Sequence, residues 1–308
     1  MSHRSYSLLT NGIAMIVTTA FAVTSLAEHA VASDRAVVER LESLGGNVVM
    51  KSDAVTELSF RDSSKLGDAE WRLIGSLPEL QKLTAYGGAR GLNDETVGHL
   101  IGLQKLESLS IDGAQLSDVG LARLADMTSL KSVAFFHLSF RKEGFTGKGF
   151  SAWKKLTNLE RLTVAGVSMG DDGFVEIGQL KSLREFRTWH TYRTEASHTE
   201  LAKLPKLTSL KLGQRLPHGG AAPCLTDQSL STLVKIQTLE SLEIGEARFT
   251  LESLKQLKRL PKLKRLKIDR TEISAVDIET LRSEMPGVKV EFEPLTDEQR
   301  QKLESYLR

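Results

Sequence analysis

The chain has 308 residues, with 41 Lys and Arg against 39 Asp and Glu, a net charge of +2 with His neutral, and a hydrophobic share of 40%. That balance excludes attraction to nucleic acid or to an anionic membrane through overall charge, so any affinity for a polyanion has to be local. The single cysteine, Cys224, excludes an internal disulfide scaffold, and its position excludes an N-terminal lipoprotein cysteine.

Arg4 precedes an uncharged stretch from Gly12 to Ala27, and a short polar segment then ends in Ala30-Val31-Ala32 before Ser33. This is the layout of a cleavable secretory signal over residues 1–32, with Ser25-Leu26-Ala27 as an alternative cleavage site. The uncharged stretch of 16 residues is short against the ~20 that a spanning helix needs, which favours cleavage over a permanent anchor. The expectation is export to a periplasmic, cell-surface or secreted location, with no stable membrane insertion after cleavage. Residues 33–54 read as an N-terminal cap: a helix over Ser33 to Leu44 with Val37, Leu41 and Leu44 on one face, stopped by Gly45-Gly46. Val48 to Met50 and Val55 to Phe60 then look like the first strands.

From residue 55 to 293 a beat of about 24 residues dominates. Its clearest copy is Leu103, Leu106, Leu109, Ile111, followed by Leu116, Leu121 and Leu124. The first-leucine position recurs as Leu77, Leu103, Met127, Leu156, Leu180, Leu204, Ile236, Leu260 and Met285, in steps of 26, 24, 29, 24, 24, 32, 24 and 25. Apolar residues alternate with polar ones in the first half of each unit, which predicts a short strand with one buried face. Leu83, Leu109, Val133, Leu162, Phe186, Leu210, Leu242 and Leu266 then form an interior ladder across a parallel sheet. The second half switches to helical spacing. Leu116 to Leu124 and Leu225 to Leu233 each place an N-cap candidate and an aspartate ahead of apolar residues three apart, and the aspartate has a structural use beside the helix dipole.

The spacing resembles the leucine-rich repeat family, most closely its ribonuclease-inhibitor-like and F-box-associated subtypes. The resemblance implies an α/β solenoid, a horseshoe of about eight to nine repeats with a parallel concave sheet and convex helices, and a non-enzymatic role in binding a protein or peptide. Two departures matter. The Asn or Cys that follows the strand in many such repeats is replaced by Gly87, Gly113, His137, Gly166, His190, Gln214, Glu246 and Arg270. The cysteine-rich pattern of the ribonuclease inhibitor and the helical segment of F-box proteins are also missing, so neither activity carries over. Residues 294–308 read as a C-terminal capping helix: Pro294 precedes Thr296-Asp297-Glu298-Gln299, a capping-box spacing, and Leu303, Tyr306 and Leu307 follow.

With the ladder turned inward, alternate strand residues face the concave wall. Three residues beyond the ladder lie Tyr86, Asp112, Phe136, Ala165, Trp189, Gly213, Gly245 and Asp269. Exposed aromatics and Arg dominate binding hot spots, so Tyr86, Phe136, His137, Arg161, Glu185, Arg187, Trp189, His190 and Lys211 form the candidate binding patch. The extra residues at His137 to Gly149, His190 to Ser197 and Gln214 to Leu225 fall on the adjoining rim, where insertions commonly serve binding. The alternative is that Phe136 and Trp189 merely pack beneath those loops.

Other strings carry less. Gly166-Val167-Ser168-Met169-Gly170 matches G-x-S-x-G between a strand and a helix, but Met169 and Asp171 occupy the ordinary repeat positions of Leu116 and Asp118. Asp171 and Asp172 invite an acid/base reading that the repeat position explains for at least one of them. Gly144 to Gly149 looks faintly like a phosphate loop but lacks the glycine and hydroxyl it needs. His137, His190, His218 and Cys224 have no metal-ligand spacing. Eight Lys and Arg between Lys255 and Arg270 read as a solvated basic end, or as a contact for an acidic polymer. The expectation is therefore an exported protein-binding scaffold without cofactor, metal or nucleic-acid partner. A glycan or polymer binder stacking on Trp189, Phe136 and Tyr86, a hydrolase, and a purely structural role are the alternatives.

Overall fold

The computed structural model describes residues 35–139, 144–217 and 220–307. The proposed signal over 1–32, the start of the capping helix at Ser33, the insertion residues 140–143 and His218 lie outside the described residues.

The buried alternation produces one sheet of eleven strands in strict chain order. Helix α1 covers 35–43, and strands β1 (Gly46–Lys51) and β2 (Ala54–Phe60) form an antiparallel hairpin. Nine further strands add in parallel: β3 (Lys82–Ala85), β4 (Ser108–Asp112), β5 (Ser132–Phe136), β6 (Arg161–Ala165), β7 (Glu185–Trp189), β8 (Ser209–Leu212), β9 (Ser241–Gly245), β10 (Arg265–Asp269) and β11 (Lys289–Phe292). A two-residue turn at Ser52-Asp53, both with positive φ, folds β1 back antiparallel, as only a hairpin can do over so short a connection.

Register follows the leucines. Leu58, Leu83, Leu109, Val133, Leu162, Phe186, Leu210, Leu242, Leu266 and Val290 pair strand to strand and are all buried, which makes the predicted ladder continuous. A one-residue slip would turn every one of them outward, so burial fixes the register. The opposite wall is built from α2 (Asp68–Gly75), α3 (Asp118–Arg123), α4 (Asp171–Ile177), α5 (Ser197–Leu201), α6 (Asp227–Leu233), α7 (Leu251–Lys255) and α8 (Ala275–Glu284). In two units, Thr96–Leu100 and Lys148–Lys155, the helix is 3-10 instead. The longer unit before β6 fills its extra length with core. Phe150 and Trp153 are buried with ring centroids 4.8 Å apart, and the Trp153 indole donates to Leu121 O at 2.8 Å.

Four of the acidic residues near helix starts do more than meet a dipole. Asp94 accepts from Ser117 Oγ at 2.6 Å and Ser117 N at 2.7 Å, and Asp171 accepts from Thr194 Oγ1 at 2.5 Å. Glu195 takes Thr226 Oγ1 and Asp227 takes Thr250 Oγ1, at 2.7 and 2.9 Å. Each carboxylate therefore holds the start of the next unit's helical segment, giving a polar ladder parallel to the leucine one. Last in the chain is α9 (Asp297–Leu307). It does not stack on β11 as an end plate but lies against the loops that follow β7, β9 and β10.

Candidate functional site on the concave face

Strand residues that alternate with the ladder form a floor of small side chains in the N-terminal half: Thr84, Ser108, Ser110, Ser132, Ala134 and Thr163, all partly exposed. At the strand ends above this floor large and small residues alternate. Tyr86, Phe136 and Trp189 sit two strands apart, separated by Asp112 and Ala165. Strands two apart are ~9.6 Å distant, yet the small or averted intermediates let the rings lean together. Tyr86 and Phe136 meet at 6.0 Å with planes 83° apart, and Phe136 and Trp189 at 6.1 Å with planes 49° apart. Tyr86 Oη, 2.9 Å from Ser110 Oγ, is thereby tied to the floor. The result is one apolar row across five strands. Tyr86 is 41% exposed, while Phe136 and Trp189 are half-buried, chiefly by each other and their neighbours.

The remaining candidates divide. Arg161 is exposed and has no ion-pair partner among the described residues. Arg187 is paired to Glu185 at 3.2 Å on its own strand. Lys211 lies 5.1 Å above the Trp189 ring and is held by Glu243 at 2.7 Å; it buttresses the tryptophan instead of projecting freely. Lys267 shares that carboxylate, and burial, which pushes Glu243 up, is outweighed by the two lysines, leaving it below the usual carboxylate range. The C-terminal half of the wall is thus self-neutralised. Lys255, Lys258, Lys264, Arg265, Lys267 and Arg270 each hold a carboxylate, so most of the basic segment is matched within the fold.

His137 and His190 were expected beside the aromatics, and both sit one residue past them in the left-handed region, at φ 49° and 54°. The chain must leave each strand sharply there. Gly87, Gly113 and Gly166 do so at φ 74°, 82° and 66° without a Cβ penalty. Non-glycine residues adopt this region at a cost of about 1–2 kcal/mol, so their side chains need a use. His137 Nδ1 lies 2.8 Å from Asp112 Oδ1, drawing that carboxylate away from the aromatic row. His190 Nε2 lies 3.1 Å from Glu246, which is 2% exposed and also contacts Arg270 Nη1 at 2.9 Å and Gln214 N at 3.2 Å. Glu246 and Arg270 are left-handed too, at φ 59° and 46°. Burial drives Glu246 up, but the His190 hydrogen bond and the charges of His190 and Arg270 overcome it, and the carboxyl ends below its ordinary range. Gly213 permits the crowding: a Cβ there would stand 2.7 Å from Trp189 Cβ and 2.8 Å from Glu246 Oε2. The sequence flags this cluster only through the absence of glycine at positions 190, 246 and 270, a signal visible once the units are aligned.

The catalytic-looking strings resolve into structure. Gly166 to Gly170 joins β6 to α4 with Val167 and Met169 fully buried. Asp171 caps the next unit, and Asp172 pairs with Lys148 at 2.9 Å. The loop around Gly147 does cradle an anion, but an internal one: the amides of Thr146, Gly147 and Gly149 converge on the Asp118 carboxylate at 2.9–3.3 Å. Among the described residues no three His, Cys, Asp or Glu side chains gather as a metal site, and no helix is long and apolar enough to cross a membrane.

No protein-family model and no curated protein matches the chain. The solved structures similar to it include two internalins. An internalin C2 from Listeria monocytogenes shares 18% identity over 75% of this chain and 84% of its own, with a TM-score of 0.43. An internalin (inlF) from the same organism shares 15% identity over 78% and 87%, with a TM-score of 0.32. The repeat, the in-register leucine ladder and the facing helices themselves make this chain a leucine-rich-repeat solenoid.

Proposed function

We propose that the chain is an exported, non-enzymatic scaffold that recognises a protein or peptide on its concave face. The observation that carries this reading is the row Tyr86–Phe136–Trp189: three rings in contact, partly open to solvent, above a floor of small, mostly hydroxyl residues, with Arg161, which has no ion-pair partner among the described residues, at the far end of the intervening strand. Partly exposed aromatic anchors of this kind are what apolar side chains of a partner pack against at interfaces. Ring orientation favours a peptide or protein over a stacked sugar polymer. Planes turned by 83° and 49° offer no flat platform on which a sugar ring could stack along the row. Export is supported by Arg4, the uncharged stretch to Ala27 and Ala30-Val31-Ala32.

The test is capture of partners from cell-envelope and secreted fractions by residues 33–308, with Phe136→Ala/Trp189→Ala as the matched control. Recovery of a partner by the unaltered protein alone, with unchanged far-UV circular dichroism, supports the reading. Equal recovery by both proteins contradicts it. A change in tryptophan fluorescence on adding polysaccharide, with no captured protein, would favour the polymer alternative.

A further inference from the structure

Helix α9 adds little to the solenoid core, for of Asp297–Leu307 only Leu303 is buried. Its start is satisfied from within: Gln299 Oε1 accepts from Thr296 N at 2.9 Å, and Thr296 Oγ1 accepts from Gln299 N at 3.2 Å. What it meets on the repeats is specific. The Tyr306 ring lies 5.0 Å from the His190 ring with planes 39° apart. Arg300 pairs with Glu272 at 2.9 Å, and Glu304 pairs with Arg248. Gln299, Lys302, Leu303 and Tyr306 roof a small cavity whose floor is Glu246 and Arg270.

An end cap needs an apolar face laid on the last repeat. Here the helix instead crosses back over the strand ends and covers a polar cluster, His190, Glu246 and Arg270, built on left-handed backbone where other units use glycine. Strained residues that converge on one buried carboxylate mark a built pocket. The charges complement in pairs, Arg300 to Glu272 and Glu304 to Arg248, so the pocket selects a helix with this spacing. Its hold is modest: both ion pairs are exposed, and one leucine and one tyrosine supply the apolar contact.

We propose that the rim pocket formed by His190, Glu246 and Arg270 is a docking site for a short amphipathic helix, and that the chain's own α9 is its reversible occupant. Release of this strap opens the flank of the aromatic row beside Trp189; this consequence rests on the concave-face reading, whereas the docking does not.

Amide hydrogen exchange on residues 33–308 tests release. The amides of α9 are expected to exchange by local opening, on the order of 100-fold faster than those of β5–β9 and with little response to low urea. Exchange of α9 only together with the strands overturns the proposal. A second arm uses a labelled peptide of residues 295–308 and the Leu303→Asp/Tyr306→Ala protein, whose solenoid is checked by circular dichroism. The peptide is expected to bind this variant at least about 10-fold more tightly than the unaltered protein, in which α9 competes, and to lose binding when His190→Ala and Glu246→Gln are added. Equal binding to the two proteins, or none to a variant whose α9 exchanges freely, overturns it. The Phe136→Ala/Trp189→Ala protein keeps the pocket, so loss of partner capture there bears on the concave face alone.

Discussion

At the scale of single residues, the repeat is most informative where it tolerates a cost. His137 occupies a left-handed position that glycine fills in three other units, and its contact is an exposed pair with Asp112. Because exposed pairs contribute about 0–1 kcal/mol, His137→Gly is expected to leave stability unchanged or raise it by up to ~1 kcal/mol in urea denaturation. A loss above ~2 kcal/mol would mean the imidazole is structural. His198 makes the opposite case. It is fully buried, neither ring nitrogen finds a partner among the described residues, and burial, helped by the charge of Arg193, lowers it from 6.5 to about 3. Below pH 6.5 the unfolded chain therefore takes a proton that the fold refuses. The stability this preserves is fully present above 6.5 and falls by about 1.4 kcal/mol per pH unit down towards 3. The urea midpoint should drop between pH 7 and pH 5, and His198→Leu should remove part of that drop; identical slopes would refute the assignment. Neither His198, in α5, nor the buried Arg193 in the segment before it is legible in the sequence, where polar letters in and beside an insertion read as solvated.

At the scale of elements, strands were legible and caps only half so. A period of two with Leu or Val at fixed intervals leaves one register that buries the ladder, which is why Leu83 to Leu266 fall in line. The aspartates were legible as first-turn residues, but their partners lie one unit away, a relation that local spacing does not carry. Asp118 shows the strength of it, accepting from Thr146 Oγ1 at 2.6 Å and from backbone amides of the following segment. Asp118→Ala leaves those donors unmet and is expected to cost roughly 2–3 kcal/mol, with faster amide exchange first in Lys148–Lys155. Uniform loosening of the whole sheet would contradict a cap acting on the next unit. The ion pairs of Arg187 with Glu185 and of Lys211 with Glu243 follow a rule the sequence does contain, since alternate residues on one strand and equal positions in adjacent units face one another. Arg161 departs from that rule, because Glu185, which stands at its equal position on the next strand, is taken by Arg187.

At the scale of the whole molecule, the two halves of the concave wall differ in kind. Towards the C terminus charges cancel in place, Lys211–Glu243–Lys267 and Arg265–Glu291, and Arg265 and Lys289 hold Glu291 down to about 2. Towards the N terminus, past the Glu57–Lys82 pair, the wall carries small floor residues and the aromatic row. The position of that row was legible, because the repeat phases every strand end; its continuity was not, because it depends on Asp112 turning to His137 and on the smallness of Ala165. The course of α9 was equally hidden: Leu303 and Tyr306 announce an amphipathic helix but not that it reaches back to His190. The most direct measurement of the central claim is partner capture by residues 33–308 beside its Phe136→Ala/Trp189→Ala counterpart, with circular dichroism on both. A partner retained by the first and lost from the second, with unchanged spectra, is the expected result; a partner held equally by both would place recognition elsewhere on the molecule and contradict the concave site.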